Sequence, residues 1–394
     1  MIRLWISGII TLMLFYKTLS MTDYVKSISL IYVIFILLIL SVGLFKKITL
    51  KVNYKLIILM FIFIIFGAIA SLINQDINVI LRTLMFFIMF ISLGIMVPSY
   101  YQDETEKAVI KIVFISQVPI LIIPILMDGG IDRIPYRGIF INPNSLGLIT
   151  VTVLSAVLAI FFNKIENISN NEYKGKTKFH LLFYIIIISL LLLLITFTSS
   201  RTSFVTAIVA ILFGFCLYSI HLFKKNILGN FLIRSIIIIP ISLLMIYLVN
   251  RQLGLSKAIN ENIVDKFNRK SDNLLSSRDY IWSQAIEEAG FFGGGTDFFK
   301  VVIGQGSHNT FITFLGTLGW IPTLIFILLL LMGLYYILKE FLKSNSDYKY
   351  FAPITILTFI TLSMGEDTSY EVIMLLTFIL LGHHGNTRAI SIMK

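Results

Sequence analysis

The chain has 394 residues, of which 57% are hydrophobic and only 13% are charged. A soluble domain of this length could not hide that much hydrocarbon from water, so the composition predicts an integral membrane protein. The formal net charge of +11 would favour nucleic acid in a soluble protein, but here the positions of the cations matter more than their sum. The single cysteine, Cys216, excludes an intrachain disulfide and a thiolate metal cluster.

Apolar stretches that can cross the bilayer as helices recur along the chain. The first lacks a small-residue cleavage site, so we predict an uncleaved span rather than a signal peptide. The stretch at 309–338 is long, and we expect it to be tilted or broken near Gly316 and Gly319. We therefore predict an all-α integral membrane protein with about twelve transmembrane helices, at about residues 4–20, 27–45, 56–73, 77–98, 108–127, 145–163, 180–197, 202–223, 231–249, 309–338, 350–364 and 370–384.

Lys and Arg in the short connecting segments indicate the sides of the membrane, because cytoplasmic loops are enriched in these residues. With both termini in the cytoplasm, most of the cations fall at the cytoplasmic face. The chain then divides into transmembrane helices 1–9 within residues 1–249, a large extracytoplasmic loop at 250–308, and helices 10–12 with a cytoplasmic tail within 309–394. Unpaired backbone groups cost several kcal/mol each in lipid, so we expect this loop to lie outside the bilayer.

His308 is the one histidine that this topology places on the outer side, where the large loop meets the membrane. An imidazole in that position is a candidate for proton transfer near neutral pH. The alternative is structural, with His308 capping the helix that follows. The other histidines fall at cytoplasmic helix ends, and they are His180, His221, His383 and His384.

Arginines are concentrated on the predicted outer face, where cations are normally sparse. Arginine remains charged when it is partly buried, and its planar fork binds phosphate through two hydrogen bonds. The alternative for each one is a side chain that snorkels to water or pairs with a carboxylate. The outer arginines are Arg82, Arg133, Arg137, Arg201 and Arg278.

Two of these arginines lie in motifs beside predicted helix starts. In Arg137-Gly-Ile-Phe-Ile-Asn-Pro-Asn-Ser, Pro143 makes a tight turn, and Asn144 or Ser145 can cap the next helix. A helix N-terminus with an arginine upstream suits an anion, although a capping turn needs no function. In Thr-Ser-Ser-Arg-Thr-Ser, Arg201 lies at the mouth of a helix pair, where desolvation is costly unless a partner compensates.

The large loop contains a predicted amphipathic helix. Ser276 and Asp279 have the spacing of a capping box, Arg278 lies in the first turn, and the helix ends at Gly290. A flexible, glycine-rich loop then leads to His308. The outer acids form no metal-ligand pattern, so we predict no metal and no cofactor. The apolar stripe of this helix, packed on the membrane or the bundle, comprises Ile281, Trp282, Ala285, Ile286 and Ala289.

The order of these motifs resembles that of the O-antigen ligase/polymerase superfamily. The series is Arg-Gly-x-Phe-x-Asn-Pro-Asn before a span, Ser-Ser-Arg between two spans, Ser-Arg-x-x-x-Trp and Gly-x-Gly in a large outer loop, and His-Asn before another span. It covers roughly Arg137 to Leu338. Each motif alone is loose, whereas the order and spacing are fairly specific. The first hundred residues match only as hydrophobic spans.

This resemblance implies a C-type glycosyltransferase-like bundle that uses a metal-independent mechanism and a glycan donor on undecaprenyl pyrophosphate. Arg201 and Arg278 would hold the pyrophosphate, and His308 would act on the acceptor hydroxyl. Further substrate-binding candidates are Arg82, Arg137, Asn144 and Asn309.

We expect a polysaccharide polymerase that joins lipid-linked repeat units, of O-antigen or capsule, on the outer face of a bacterial cytoplasmic membrane. One alternative is a ligase that transfers finished glycan to a different acceptor. Another is a flippase without enzymatic activity, which would be expected to place charges along a path through the bundle. The expected partners are membrane lipid, a chain-length regulator and a flippase, but not nucleic acid.

Overall fold

A computed structural model describes residues 2–22, 29–44, 49–127, 134–169, 177–224, 278–384 and 388–391. These residues are almost entirely helical. The first part contains α1 Ile2–Leu19, α2 Ser29–Leu44, α3 Tyr54–Asn74, α4 Ile77–Met89, α5 Val97–Tyr101, α6 Thr105–Met127, α7 Pro143–Ser169, α8 Thr177–Thr198 and α9 Arg201–Lys224. The second part contains α10 Arg278–Glu288, α11 Thr310–Leu318, α12 Trp320–Phe341, α13 Phe351–Ser363 and α14 Val372–His384.

Within the described ranges, seven helical stretches are long and apolar enough to cross a membrane by length and composition. The chain is therefore a helical, multi-pass membrane protein. The predicted span at 231–249 and most of the predicted loop, 250–277, lie outside the described residues. The seven stretches are Ile2–Leu19, Tyr54–Asn74, Ile77–Leu126, Pro143–Asn167, Leu181–Thr198, Arg201–Lys224 and Trp320–Phe341.

The stretch Ile77–Leu126 contains two of the predicted spans, and its geometry changes between them. A π-helical segment, Phe90–Met96, follows α4, and a single 3₁₀ turn, Gln102–Glu104, separates α5 from α6. Gln102 has a φ of 52°, which ends α5 and redirects the backbone. The chain therefore turns where the sequence predicts a loop between spans 77–98 and 108–127.

The predicted break near Gly316 and Gly319 is confirmed at Gly319. There α11 ends and α12 begins, and Gly319 has a φ of 91°. A Cβ atom at this position would lie 2.3 Å from the carbonyl oxygen of Phe291. Only glycine combines this φ with so close an approach of another backbone segment.

Helices α13 and α14 are short, with 13 residues each, but they lie in the centre of the bundle. A helix of that length extends about 20 Å, which is less than the hydrocarbon core of a bilayer at about 30 Å. Nearly every residue of both helices is buried by protein, against α7, α9, α12 and the π-helical segment. Neighbouring helices therefore cover the ends that lipid would otherwise meet.

One short antiparallel strand pair departs from the all-helical prediction. Strand β1, Thr49–Val52, pairs with β2, Arg388–Ser391, with Thr49 opposite Ser391. The sequence predicts that both segments are cytoplasmic, and the backbone pairing places them at the same end of the bundle.

Side-chain contacts sort the remaining helix ends into two groups. Asn74 binds Phe292 and Asp76 binds Thr296, at the end that holds the predicted outer segments. At the opposite end, Arg3 pairs with Glu104. This sorting agrees with the predicted sides. We refer to the two ends as the outer end and the inner end, following that prediction.

Candidate functional site

The loop between α13 and α14, residues 364–371, is the centre of the outer end, and we call it the Glu366 loop. Its backbone carbonyls accept hydrogen bonds from three side chains in two other segments. Asn309 Nδ2 donates to Met364 O at 3.0 Å, Arg278 Nη1 donates to Gly365 O, and Thr310 Oγ1 donates to Glu366 O at 3.3 Å. These bonds hold the start of α10, the start of α11 and the loop together.

Several of the predicted site residues lie close to the Glu366 carboxylate. Oε1 accepts from Asn144 Nδ2 at 3.0 Å and from Arg278 Nη2 at 3.3 Å. Oε2 lies 3.9 Å from His308 Nδ1. The Glu366 side chain is only 14% exposed, so this charge is partly desolvated and is compensated by donors on separate elements.

Arg278 is oriented by the helix that it begins. Ile281, Ala285 and Ala289 are buried, and the latter two pack with Phe298 and Leu315. Ile286, which the predicted stripe includes, is instead 48% exposed. The buried face is narrower than predicted because the contact is one side of α11 and its neighbouring loop. Gly290, with a φ of 56°, follows α10 as expected, whereas Ser276 and its capping box lie outside the described residues.

The first glycines of the segment before His308, which the sequence predicts to be a flexible loop, pack against the end of α11, whereas Gly304 and Gly306 are exposed. Gly294 N–H donates to Gly316 O at 2.8 Å, and Gly295 N–H donates to Thr317 O at 3.2 Å. A Cβ atom at Gly293 would lie 2.6 Å from Gly319 N. The glycines therefore permit a close backbone approach to the end of α11, which sequence composition does not distinguish from loop flexibility.

Asp76 ties the same segment to the α3–α4 turn. Its Oδ2 accepts from Thr296 N at 2.7 Å and from Thr296 Oγ1 at 2.6 Å, while Oδ1 caps α4 through Asn78 N. The hydrogen bond from the Thr296 hydroxyl is the largest of the effects that lower the pKa of Asp76. The carboxylate is therefore an anchor for the segment that leads to His308.

His308 does not cap α11, so the alternative in which this histidine serves only as a helix cap is excluded. Asn309 is the cap, since its Oδ1 accepts from the N–H groups of Phe311 and Ile312. His308 has a φ of 49° in the left-handed region, and its side chain is 55% exposed. Trp282 Nε1 donates to Ser307 O at 2.8 Å and supports this conformation, which is uncommon outside glycine. The imidazole thus projects beside Glu366 with an accessible face.

Arg201 begins α9 at the edge of the same group. The preceding Ser199 has a φ of 54°, which allows the tight turn from α8. Thr202 lies so close to Gly365 that a Cβ atom there would approach Thr202 Cγ2 to 2.5 Å. The Arg201 and Arg278 charges are near enough to repel each other. We call Asn144, Arg201, Arg278, His308, Asn309 and Glu366 the Glu366 cluster.

The structure separates the roles of the two asparagines around Pro143. Asn142 Oδ1 accepts from Asn144 N–H at 2.8 Å at the start of α7, so Asn142 provides the helix-start contact assigned to Asn144 or Ser145. The Asn144 side chain is left to donate to Glu366 instead. Arg137 is exposed and donates to Ile141 O at 3.2 Å within its own turn, away from the contacts of the Glu366 carboxylate.

Arg82 lies on the other side of α11, beside a separate cavity of about 250 Å³. Asp367 and Tyr370 of the Glu366 loop also line this cavity, and the Tyr370 hydroxyl donates to the Arg82 carbonyl oxygen at 3.3 Å. Thr313 Oγ1 contacts Asp367 Oδ2 at 3.2 Å. Arg82 is therefore adjacent to the Glu366 loop without contacting Glu366 in any described hydrogen bond.

The other described histidines lie at the inner end, as predicted. His221 pairs with Glu166 at 2.7 Å, and Lys349 completes this group. His384 pairs with Glu106 at the end of α14. His308 is thus separated from both groups by the length of the bundle.

Glu366 is the site residue that the sequence analysis missed. The signal was present, because Gly365-Glu366-Asp367 is a polar segment between two short apolar stretches on the predicted outer side. Two adjacent acids between such stretches, on a face rich in arginine, indicate a compensated carboxylate.

Comparison with protein-family models and with curated protein sequences gives no match to this chain.

Proposed function

We propose that the protein is a glycosyltransferase that polymerises polysaccharide repeat units carried on undecaprenyl pyrophosphate. The single observation that supports this is the convergence of Arg278 and His308 on one carboxylate at the outer end, with Arg201 close enough to Arg278 for their charges to interact. These residues are far apart in sequence, and the resemblance of their motifs to the O-antigen ligase/polymerase superfamily assigns them complementary roles. We include in the proposal a topology of about twelve spans and a C-type glycosyltransferase-like bundle.

The two arginines would stabilise the leaving pyrophosphate. When the bond between the sugar and the pyrophosphate breaks, negative charge develops on the phosphate oxygens, and preorganised cations lower the energy of that state. A hydrogen bond to a charged group contributes about 1.5–3 kcal/mol. If both contacts strengthen in the transition state, two arginines provide about two to four decades of rate.

His308 would accept the proton of the acceptor hydroxyl. The hydroxyl oxygen forms a bond to the anomeric carbon, the bond from that carbon to the pyrophosphate oxygen breaks, and the lipid pyrophosphate leaves with the electron pair. With Nδ1 facing Glu366, the other ring nitrogen is available to the acceptor. The Glu366 carboxylate would orient the ring and stabilise the imidazolium that forms, as carboxylates do behind catalytic histidines.

Glu366 also has a role in the resting state. It partly neutralises Arg278 and accepts a hydrogen bond from Asn144. The guanidinium is therefore held in place before a glycan donor binds. A pyrophosphate carries more charge than a carboxylate and would compete for the same guanidinium. The site thus has preorganised cations without a buried, uncompensated charge.

Polymerase and ligase differ only in the acceptor, and one experiment separates them. Purified protein is given undecaprenyl-pyrophosphate repeat units alone, and the products are resolved by size. We expect a ladder of lengthening chains. If single repeats remain single until another glycolipid is added, the protein is a ligase, and if neither condition consumes donor, the glycosyltransferase proposal is wrong.

A further inference from the structure

Two consecutive histidines end α14 beside the first turn of α6, at the inner end. His383, His384 and Glu106 each offer a ligand atom, and these atoms all lie within 4.8 Å of one another. Glu106 and His384 are buried, and His383 is half-buried. We propose that these three residues bind a divalent transition-metal ion, for which zinc is the best fit.

The distances are close to those of a zinc site. His384 Nε2 lies 3.1 Å from Glu106 Oε1. Two ligands that are each about 2.0–2.1 Å from a tetrahedral zinc are about 3.3 Å apart, so this pair is already at coordination spacing. The His383 nitrogen must approach by about 1.5 Å at most, which a ring rotation provides at a half-buried position.

A second carboxylate lies where a zinc-binding histidine needs one. His384 Nδ1 is 3.1 Å from Glu340 Oε2, on the last turns of α12, but the two atoms are not aligned as a hydrogen bond. Histidines that bind a metal through one ring nitrogen donate the other N–H group to a carboxylate or a carbonyl, which fixes the tautomer and the ring orientation. A small rotation of the half-exposed Glu340 side chain would align this bond and would hold the His384 ring with Nε2 directed towards the metal.

The donor set selects the class of metal. Two imidazoles and one carboxylate suit zinc and similar borderline ions, whereas magnesium and calcium prefer oxygen ligands. The fourth position would be open to water. Because the ligands come from α6 and α14 and the supporting carboxylate from α12, a bound ion would join three helices at the inner end.

A metal-free alternative makes a different prediction about His383. An imidazolium at His384 could bridge Glu106 and Glu340 by itself, and His383 would then have no part in the group. A zinc site needs both histidines. His383→Ala is therefore the deciding variant, and its half-buried position also makes it less disruptive than a substitution at buried His384.

Full-length protein is purified in detergent through a tag without histidines, stripped with a chelator, and titrated with Zn²⁺ alone by calorimetry. We expect one Zn²⁺ per chain in the wild type. His383→Ala should weaken binding by about 100-fold or more, and Glu340→Gln by about 10- to 100-fold. His308→Ala, which removes an exposed histidine at the outer end, should bind Zn²⁺ like the wild type.

Cobalt gives an independent readout, because four-coordinate Co²⁺ has visible absorption bands that report ligand geometry. We expect these bands in the wild type and their loss in His383→Ala. Circular dichroism and size-exclusion profiles of the variants must match the wild type. A wild-type protein without stoichiometric binding, or a His383→Ala protein with unchanged affinity and spectrum, would overturn the proposed site.

Discussion

His308 Nδ1 lies 3.9 Å from Glu366 Oε2, and the two side chains differ sharply in exposure, at 55% and 14%. The distance is too long for a hydrogen bond, and a small rotation of the exposed ring would close it. Catalytic hydrogen bonds are often long in proteins without substrate and tighten when the substrate binds. This pair therefore has the arrangement of an exposed base in front of a partly buried, orienting carboxylate.

Glu366→Gln is expected to lower the turnover rate by about 10- to 100-fold, because the amide has nearly the same shape but cannot stabilise an imidazolium. The measurement is initial-rate kinetics with lipid-linked repeat units. A positioning role predicts that kcat per folded protein falls much more than KM rises, whereas a loss of folded protein alone leaves both kcat per folded protein and KM unchanged. The amount of folded protein is determined separately.

Asp367→Asn is the matched control for this variant. Asp367 is the next residue of the same loop, is exposed, and contacts Thr313 rather than the cluster. It should retain activity within about twofold, since exposed substitutions change stability little. Equal losses in both variants would mean that the loop, rather than the Glu366 charge, matters.

His308→Ala should reach the membrane in normal amount and transfer glycan about 10²- to 10⁴-fold more slowly, which is the usual contribution of a general base. Donor binding, measured with a non-transferable analogue, should persist through the arginines. Asn309→Ala removes the α11 cap and should destabilise the fold by about 0.5–2 kcal/mol. Its loss of activity should be the smaller one, and the reverse order would identify the segment as purely structural.

Arg201→Lys and Arg278→Lys should each lower the rate by about one to two decades, because an ammonium group retains the charge but not the planar fork. Lys300→Ala provides a control, because it removes an exposed cation without touching the cluster's described contacts. Transfer rates are compared at saturating donor. Full activity in both lysine variants would show that only net positive charge is required there.

Local sequence signals predicted most of the fold because hydrophobic runs and glycine act over short distances. The apolar stretches at 350–364 and 370–384 correspond closely to α13 and α14, and the break at Gly319 was also predicted. The burial of α13 and α14 by protein was not predicted, since a 13-residue apolar run does not reveal whether protein or lipid surrounds it. The β1–β2 pair likewise depends on a contact between distant segments.

The sequence predicted most residues of the candidate site, but it did not predict Glu366, the carboxylate at its centre. Arg278 lies 88 residues from Glu366 and Asn144 lies 222 residues from it, so no local pattern joins them. Asn144 illustrates the limit, because its type and position fit a helix cap equally well. Only the folded chain shows that Asn142 makes the helix-start contact and releases the Asn144 side chain for Glu366.

Asp76 should make the docking of the 293–298 segment sensitive to acid. Because the pKa of Asp76 is lower in the folded protein than in an unfolded chain, its stabilising effect is complete above the ordinary aspartate value of about 3.9. It is lost as the pH falls through the lowered value. Asp76→Asn should therefore be less stable at neutral pH and should show a weaker acid dependence.

Hydrogen exchange of amides in the 293–298 segment measures this effect locally. Asparagine still caps a helix well, so the α4 cap is retained and the comparison isolates the carboxylate's bonds to Thr296. Asp297→Asn, an exposed change in the same segment, serves as the control. Unchanged protection in Asp76→Asn at neutral pH would show that the backbone contacts to α11 alone hold the segment.

The proposed mechanism requires the outer end to face away from the cytoplasm, and cysteine labelling tests this directly. In a Cys216→Ala background, Ser283→Cys lies on an exposed face of α10, and Asn345→Cys lies in the exposed turn after α12 at the opposite end. An impermeant thiol reagent added to intact cells should modify the first and not the second. Permeabilised cells should allow both to react, which controls for accessibility. The reverse pattern in intact cells would place His308 and the arginines on the cytoplasmic side. The proposed polymerisation takes place on the outer face, so this result would rule out the mechanism.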